Sequence, residues 1–461
     1  MTTEQAASPP WQGLPERRGL RNRFFDFAAR DTNVVIVSVI LNNLLRAISG
    51  MILTRLLMPE VFGISGVIAS IQFTVSLATD LGFQAFVVRQ ENGDEKRFLD
   101  TVWTVSLVRS LVLALVLAAS ALPLAHILAK PELAPLLAAS SLTFVVEGLA
   151  STSLLTALRR RRILRLSALE LIALLAQIAM SAVLAWAWGN YWAILGGLLA
   201  GGLLKTTLSY TMFEDARRGF RLDRATLRAL WGFSRYVTGS SIIFLLISQC
   251  DKLVLAKLMP LDQFGFYILA GNLASAPLGF AMNYASRVLY PTYAQLWRDH
   301  AENLRARFYD KRRLPSLLYG FATGGIIGGA PLIVGVLYDP RYGEAAGYLQ
   351  ILCISSLLAL PSNAANEVLT ATGRIRATLE ASIVKLVWLS AAGTMGYLLW
   401  GQFGLVLAVG LMEAPALVMK WVRLRMAGLL DIREELLFLA AGLAGTGCGF
   451  VAAGTIMRVL R

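Results

Sequence analysis

The feature that most constrains this chain is a series of apolar runs, each about twenty residues long, separated by short polar stretches. An α-helix of that length crosses a hydrocarbon core about 30 Å thick. Soluble domains do not repeat this length about a dozen times, and only 16% of the residues are charged, against about a quarter in soluble domains. The chain is therefore predicted to be an all-α polytopic membrane protein, because open sheet edges are not tolerated in lipid.

Thirteen segments are long and apolar enough to be predicted as transmembrane helices. They are 34–54, 61–83, 102–124, 133–157, 167–188, 191–213, 236–258, 262–286, 314–338, 346–370, 379–400, 403–422 and 436–457. The first twelve form the predicted core of two pseudo-symmetric six-helix bundles. The last segment is left open, as a further span or as a re-entrant or peripheral hairpin, so one or two segments follow the core.

Basic residues alternate along the predicted connections. The basic connections are 84–101, 158–166, 214–235, 287–313, 371–378 and 423–435, whereas the others carry at most one basic residue each, at Arg55, Lys130, Lys257 or Arg341. Lys and Arg concentrate in cytoplasmic loops, so the N-terminus is predicted to be cytoplasmic. The first 33 residues lack the apolar core and cleavage site of a signal peptide and are interpreted as a cytoplasmic basic tail.

An internal repeat links the two halves of the chain. The segment RLLMPEVFG (55–63) returns as KLMPLDQFG (257–265), which aligns Gly63 with Gly265 at an offset of 202 residues. Each half would contain six helices, and an even number returns the chain to the same side of the membrane. The halves are therefore predicted to be related by an axis along the membrane normal, an arrangement typical of transporters that rock two bundles about a central cavity.

The repeat also sets the predicted domain boundaries. The segment LLTALRRRRILRLSALE (154–170) resembles VLTATGRIRATLE (368–380), and Gly189 and Gly401 end the helices that follow. The predicted units are a tail (1–33), an N-terminal six-helix bundle (34–213), a cytoplasmic linker (214–235), a C-terminal six-helix bundle (236–422) and an extra C-terminal hydrophobic segment (423–461).

Three motifs resemble those of the Wzx-type polysaccharide flippases. They are LTRLLMPEVFG (53–63), the DLGF segment at 80–83 and the basic LRRRRILR loop (158–165), and the likeness covers about residues 30–425. This family shares a superfamily with MATE multidrug exporters and lipid II flippases. The resemblance implies an inner-membrane carrier that moves undecaprenyl-diphosphate-linked oligosaccharide units for exopolysaccharide, capsule or O-antigen assembly. Membrane lipids, a polysaccharide polymerase and chain-length proteins are the other implied partners.

Cations inside the predicted spans are the candidate binding residues for an anionic diphosphate. Insertion of a charged residue at the centre of a transmembrane helix costs about 2.5–3.5 kcal/mol, so each cation inside a span requires an explanation. The candidates are Arg46, Arg109, Lys205, Lys252 and Lys385. Arg46 and Lys252 are favoured, because the repeat offset maps Arg46 onto Ser248, one turn from Lys252. The alternatives are a buried ion pair between helices or snorkelling toward the interface.

Acidic residues inside or beside the spans are interpreted as counter-charges or as carriers of a coupling proton or cation. They are Asp80, Glu147, Asp251, Glu367 and Glu413. His126 and His300 are too few and too far apart in sequence to indicate a metal site. No nucleotide-binding motif occurs, so no cofactor is expected. Transport is predicted to use a gradient, the membrane potential or downstream consumption of the product.

Other functions on the same evidence are a cation or drug exporter, a lipid II flippase and, with weaker support, a membrane polysaccharide polymerase or acyltransferase. Cations in the membrane would repel a cationic cargo. Short predicted external loops leave little room for a catalytic site. The net charge of +14 is explained by cytoplasmic loops, so no nucleic-acid partner is expected. The arginines at 159–162 are interpreted as anchors to anionic lipid rather than as a landing site for cargo.

Overall fold

The computed structural model describes residues 31–160, 162–213, 218–299 and 301–459, and every regular element in these ranges is a helix. The predicted basic tail lies outside the described residues as far as residue 30. The α-helices are α1 (Asp31–Leu56), α2 (Pro59–Ala78), α3 (Phe83–Arg89), α4 (Lys96–Ile127), α5 (Leu133–Ser140), α6 (Leu142–Gly148), α7 (Ser153–Arg159), α8 (Ile163–Trp188), α9 (Tyr191–Thr211), α10 (Arg224–Leu258), α11 (Leu261–Tyr284), α12 (Tyr290–Asp299), α13 (Leu304–Leu337), α14 (Ala345–Ala371), α15 (Arg376–Gly410), α16 (Glu413–Met426) and α17 (Ile432–Val459).

The helices confirm the prediction of an all-α, multi-pass membrane protein. Within the described ranges, ten segments are long and apolar enough to span a membrane, or up to eleven if a bent pair counts as one span. The C-terminal segment, which the sequence left open, is the continuous helix α17 and is one of the ten. We call α1–α9 the N-terminal lobe and α10–α16 the C-terminal lobe.

Several predicted boundaries differ from the structure, and two of these differences change the description of the fold. The segment 133–157 is not one helix but the three short helices α5, α6 and α7, with a bend of 54° before Ser153. The predicted linker 214–235 is shorter, because α10 already begins at Arg224, where the Asp223 carboxylate accepts a hydrogen bond from the Thr226 amide at 2.8 Å. The polar first turns of α10 had been interpreted as loop, since hydropathy does not separate an amphipathic extension from a connection.

Equivalent hairpins close the two halves of the repeat. The chain reverses at Gly189, between α8 and α9, and at Gly401, where α15 is broken into two helical parts. The φ angles of these glycines, 62° and 61°, lie in the left-handed region. Glycine adopts this region without the steric cost that other residues meet. Close helix packing follows each turn: a methyl group at Gly197 would clash with α8, and one at Gly404 would clash with the backbone of Gly396. The last helical hairpin of each lobe therefore has a left-handed glycine at its turn and close packing at a second glycine.

The repeated FG motifs meet each other at the contact between α2 and α11. A methyl group on Gly63 would clash with the Leu261 carbonyl, and one on Gly265 would clash with the Pro59 carbonyl. The offset of 202 residues converts the first contact into the second. The two lobes thus touch through one contact used twice, as the predicted pseudo-symmetry requires.

The last helix packs along α13 through small residues. Methyl groups at Gly324 and Gly328 would clash with the backbone of α17, and one at Gly445 would clash with the backbone of α13. Small residues let helix backbones approach closely in a membrane. The C-terminal helix is therefore fixed to the C-terminal lobe.

Candidate functional site

The connections lie at two ends of the helix bundle. We call one of them the basic end. There, Arg159 at the end of α7 forms an ion pair of 2.9 Å with Asp94 in the connection before α4. At the opposite end, Lys130 and Arg341 reach the C-termini of α10 and α1. The alternation of basic loops along the sequence therefore corresponds to opposite faces of the molecule.

Arg46 and Lys252 lie on α1 and α10, the first helices of the two lobes. Arg46 is exposed and Lys252 is half-buried, and within the ranges that the structure describes neither makes a hydrogen bond or an ion pair. The neighbouring Asp251 accepts a hydrogen bond from the Tyr267 hydroxyl and also interacts electrostatically with Lys252. These two favoured candidates therefore retain their donors for another group.

Arg46 lies one helical turn before Gly50 on α1, the helix that ends at Leu56 at the opposite end. Gly50, four residues further along α1, lies under the ring of Tyr338, which would be 3.3 Å from a methyl group there. Tyr338 belongs to the C-terminal lobe. Because residues four apart share a helix face, Arg46 lies on the side of α1 that turns toward the other lobe.

Arg109 is committed to the end of a helix. Its guanidinium donates hydrogen bonds to the carbonyl oxygens of Ser76 at 2.6 Å and of Thr79 at 2.8 Å, at the C-terminus of α2. Carbonyl groups in a last helical turn have no partner within the helix and attract cations. This contact accounts for Arg109 without a ligand, and its predicted binding role stays a prediction.

Lys385 lies in a polar network inside the C-terminal lobe. It forms an ion pair with Glu413, which also accepts a hydrogen bond of 2.9 Å from the Ser362 hydroxyl. Lys420, only 4% exposed, donates to that hydroxyl at 2.9 Å. Lys420 was not among the predicted candidates, because it lies close to the end of the predicted span 403–422. A usable signal was its spacing of seven residues from Glu413, which places both on one face of a helix.

The remaining acidic candidates are also engaged. Glu147 is electrostatically coupled to Lys205, which is exposed, and to Arg109. Asp80 accepts hydrogen bonds from the Gly82 amide at 2.9 Å and from the Ser241 hydroxyl of the other lobe at 3.2 Å. Glu367 is half-buried and is electrostatically coupled to Lys420. Every one of these carboxylates therefore has a polar or charged neighbour.

The arginine cluster at the basic end includes a structural contact. Arg159 donates to the carbonyl oxygens of Val87 at 2.9 Å and Val88 at 3.1 Å, which end α3. Partial burial raises the pKa of Asp94, but hydrogen bonds from Arg160 and Arg159 outweigh it, so that the pKa lies below its ordinary value. These contacts favour an architectural role over a landing site for cargo.

A cleft at the basic end is formed by α3, the connection after it and the first turns of α10, where the ring centroids of Phe86 and Phe233 lie 5.6 Å apart. Its volume is about 630 Å³. It is lined by Phe86, Arg89, Gln90, Glu91, Asn92, Gly232, Phe233 and Tyr236. The sequence reasoning missed this cleft, because its two walls are more than 100 residues apart in the chain.

Comparisons with known proteins agree on one family. A family model described as "Polysaccharide biosynthesis protein" matches residues 52–347, which include both copies of the FG motif. The chain is 26% identical over 290 residues to the lipopolysaccharide biosynthesis protein WzxC of Escherichia coli (strain K12), covering 62% of this chain and 58% of that protein. It is 26% identical over 312 residues to the succinoglycan biosynthesis transport protein ExoT of Rhizobium meliloti (strain 1021), covering 67% and 62%. The match therefore spans less than two thirds of either relative.

The fold has a counterpart among solved structures. The lipid II flippase MurJ, in an inward closed conformation, superposes with a TM-score of 0.72 over 92% of both chains. The sequences are 13% identical in that alignment. An identity this low establishes a shared fold and leaves the cargo to be argued from the site.

Proposed function

Because this chain belongs to the family of polysaccharide biosynthesis proteins, we propose that it translocates a lipid-linked oligosaccharide across the bacterial inner membrane. The family resemblance predicted from the sequence motifs is thereby confirmed. The cargo that the resemblance implies is an undecaprenyl-diphosphate-linked repeat unit for exopolysaccharide, capsule or O-antigen assembly. The name of ExoT as a transport protein for succinoglycan biosynthesis supports this cargo class.

Transport would proceed by alternating access between the two lobes. The basic end is assigned to the cytoplasm, because Lys and Arg are concentrated there, and α1 is proposed to begin on the same side. Cargo would enter at that end with its head group between the lobes. Rocking of one lobe against the other would then present the sugar to the periplasm.

The observation that carries the proposal is that Arg46 and Lys252 have neither a hydrogen bond nor an ion pair among the described residues, whereas Arg109 and Lys385 do. A cation within a membrane span is costly unless it is paired or functional. A guanidinium can bind two phosphate oxygens at once, and an ammonium adds a compact charge. The diphosphate is therefore assigned to Arg46 and Lys252, with Lys205 as a further candidate.

A transporter fits the described residues better than a membrane enzyme. The connections at the opposite end are short: only Leu57 and Met58 separate α1 from α2, and only Met259 and Pro260 separate α10 from α11. These turns leave little space for an external catalytic site. We therefore assign no catalytic residue, and a polysaccharide polymerase and chain-length proteins are proposed as partners that act after translocation.

Two transporter alternatives use the same fold. A drug exporter for cations would bring a positive charge toward Arg46 and Lys252, which is unfavourable at low dielectric. A lipid II flippase would use the same diphosphate contact with a different sugar and peptide. Growth of a strain depleted of its own lipid II flippase separates that alternative, since only a lipid II carrier would restore it.

The test removes each cation in a strain whose polysaccharide export depends on this protein. Arg46→Gln and Lys252→Gln should each reduce export and should cause unflipped lipid-linked oligosaccharide to accumulate, at equal protein abundance. Arg55→Gln and Lys257→Gln are the matched controls, because they remove exposed cations further along the same two helices. Normal export in both Arg46→Gln and Lys252→Gln would show that the diphosphate contact is wrongly assigned.

A further inference from the structure

A cation from the N-terminal lobe crosses to the C-terminal lobe at the opposite end. Lys130 lies in the connection between α4 and α5. Its ammonium donates hydrogen bonds to the carbonyl oxygens of Ala256 at 2.5 Å and Met259 at 2.8 Å. Both carbonyls belong to the C-terminal end of α10. Carbonyl groups there have no partner within the helix and carry partial negative charge, so a cation is well placed to bind them.

A second cation crosses in the other direction. Arg341 lies in the connection between α13 and α14, in the C-terminal lobe. Its guanidinium donates to the carbonyl oxygens of Arg55 at 3.2 Å and Thr54 at 3.4 Å, at the C-terminal end of α1. An ion pair of 2.8 Å with Asp339 holds the guanidinium in this position.

The next residue adds a buried bond at the same place. The Tyr342 hydroxyl donates to the Leu57 carbonyl oxygen at 2.8 Å, and Tyr342 is 0% exposed. Its ring lies edge-on to Phe62 of the repeated FG motif, with the ring centroids 5.7 Å apart. The C-terminal lobe thus covers both the end of α1 and the start of α2.

The two crossings are equivalent in the repeat. The helices α1 and α10 open the two lobes, and the offset of 202 residues maps Thr54 onto Ala256. The cations come from the connections between the third and fourth spans and between the ninth and tenth spans. Each lobe therefore supplies one cation and one helix end. A single movement that separates the lobes at this end would break both crossings.

We propose that Lys130 and Arg341 are a pair of latches that keep the opposite end closed, and that opening of this end requires both to release. The bonds connect one lobe to the other, and the helices that they cap carry Arg46 and Lys252. A charge-assisted bond to a carbonyl is replaced by water when the end opens. Loss of one latch should therefore shift the ratio of closed to open molecules by on the order of tenfold.

The proposal depends on alternating access but not on the nature of the cargo. Spin labels at Ala187→Cys and Leu399→Cys, exposed sites beside the equivalent turns at Gly189 and Gly401, report the separation of the lobes at this end. The native cysteines are first replaced by alanine or serine: Cys250, Cys353 and Cys448. Pulsed electron paramagnetic resonance of the full chain in nanodiscs gives the distance distribution without any cargo.

The double variant Lys130→Met with Arg341→Met should show a longer distance population that is minor in the parent. The single variants should show smaller fractions of it. Arg55→Met and Lys257→Met are the matched controls, because they remove exposed cations at the same helix ends but leave the donors Lys130 and Arg341 in place. Both controls should give the distance distribution of the parent. A distribution unchanged in the double variant would overturn the proposal.

A variant that does not fold must not be confused with an open one. The conservative pair Lys130→Arg with Arg341→Lys keeps a cationic donor at both positions and should retain the parent distribution. If this pair opened as fully as the methionine pair, the loss of packing rather than the loss of the crossing bonds would explain the opening, and the latch proposal would fail. Export assays on Arg46→Gln test the cargo contact separately, so the two proposals can fail independently.

Discussion

Replacement of Glu435 by glutamine should lower the free energy of unfolding by about 3–5 kcal/mol, because it leaves a buried charge without its partner. The Arg312 and Glu435 side chains form an ion pair and are both 0% exposed. The carboxylate also accepts a hydrogen bond of 3.1 Å from the Tyr309 hydroxyl. Glutamine preserves the shape, so no cavity adds to the cost. The Arg312 guanidinium lies 4.3 Å from the centroid of the Phe308 ring and is fully buried.

The adjacent residue provides a matched control. Glu434 pairs with Arg313 at 3.5 Å, and these side chains are 23% and 57% exposed. Pairs of this kind contribute about 0–1 kcal/mol. The two glutamine variants can be compared by titration of the detergent-solubilised protein with sodium dodecyl sulfate, followed by tryptophan fluorescence. Glu435→Gln should unfold at a clearly lower fraction of the denaturing detergent, and Glu434→Gln should remain close to the parent.

A double replacement tests the cause of the loss. Arg312→Met with Glu435→Leu removes both charges, and an apolar pair in a buried site is often as stable as the ion pair that it replaces. The double variant should therefore recover most of the stability lost in Glu435→Gln. Equal shifts for Glu434→Gln and Glu435→Gln, or a double variant weaker than Glu435→Gln, would refute the reasoning from burial.

Two further predictions concern the contact between the FG motifs and the basic end. Gly63→Ala should destabilise the protein by about 1–3 kcal/mol, because the added methyl group clashes with backbone atoms of α11. The control is Gly335→Ala, whose methyl group would meet no atom within 4 Å and which should be neutral or slightly stabilising in the same titration. Partial burial raises the pKa of Asp94, but the hydrogen bonds that it accepts from Arg160 and Arg159 lower the pKa overall. The contact therefore stabilises the fold above the ordinary pKa of 3.8, and this stabilisation is lost as the pH falls through the lowered pKa. Melting temperatures of the parent and of Asp94→Asn should therefore differ at neutral pH and converge in acid; a difference that persisted below that range would contradict the assignment.

The sequence was informative where a property depends on residues close together in the chain. Apolar runs located the spans, since hydropathy over about twenty residues is a local property. The repeat identified Gly63 and Gly265 as equivalent, and the structure places both at the contact between the lobes. The turns at Gly189 and Gly401 could likewise be anticipated, because a glycine that ends a helix commonly adopts a left-handed conformation.

Contacts between distant residues could not be predicted in this way. Arg312 and Glu435 were counted as loop residues, because α13 and α17 extend beyond their apolar centres as helices. Lys130 and Arg341 were noted only as single basic residues in otherwise uncharged connections. Their partners are carbonyl groups of the other lobe, and a backbone acceptor leaves no pattern in the side chains.

The partners of each cation explain which positive charges are available to a ligand. Arg109 is satisfied by carbonyl groups and Lys385 by a carboxylate, so the protein itself offsets their desolvation. Arg46 has no such partner among the described residues, and it lies one turn from Gly50, where the other lobe closes over α1. Because Arg46 is exposed while this end is closed, its guanidinium remains available to an anion that binds there. The crossing bonds of Lys130 and Arg341 form without cargo and do not involve Arg46. Arg46→Gln should therefore weaken cargo binding while leaving the cargo-free distance distribution unchanged.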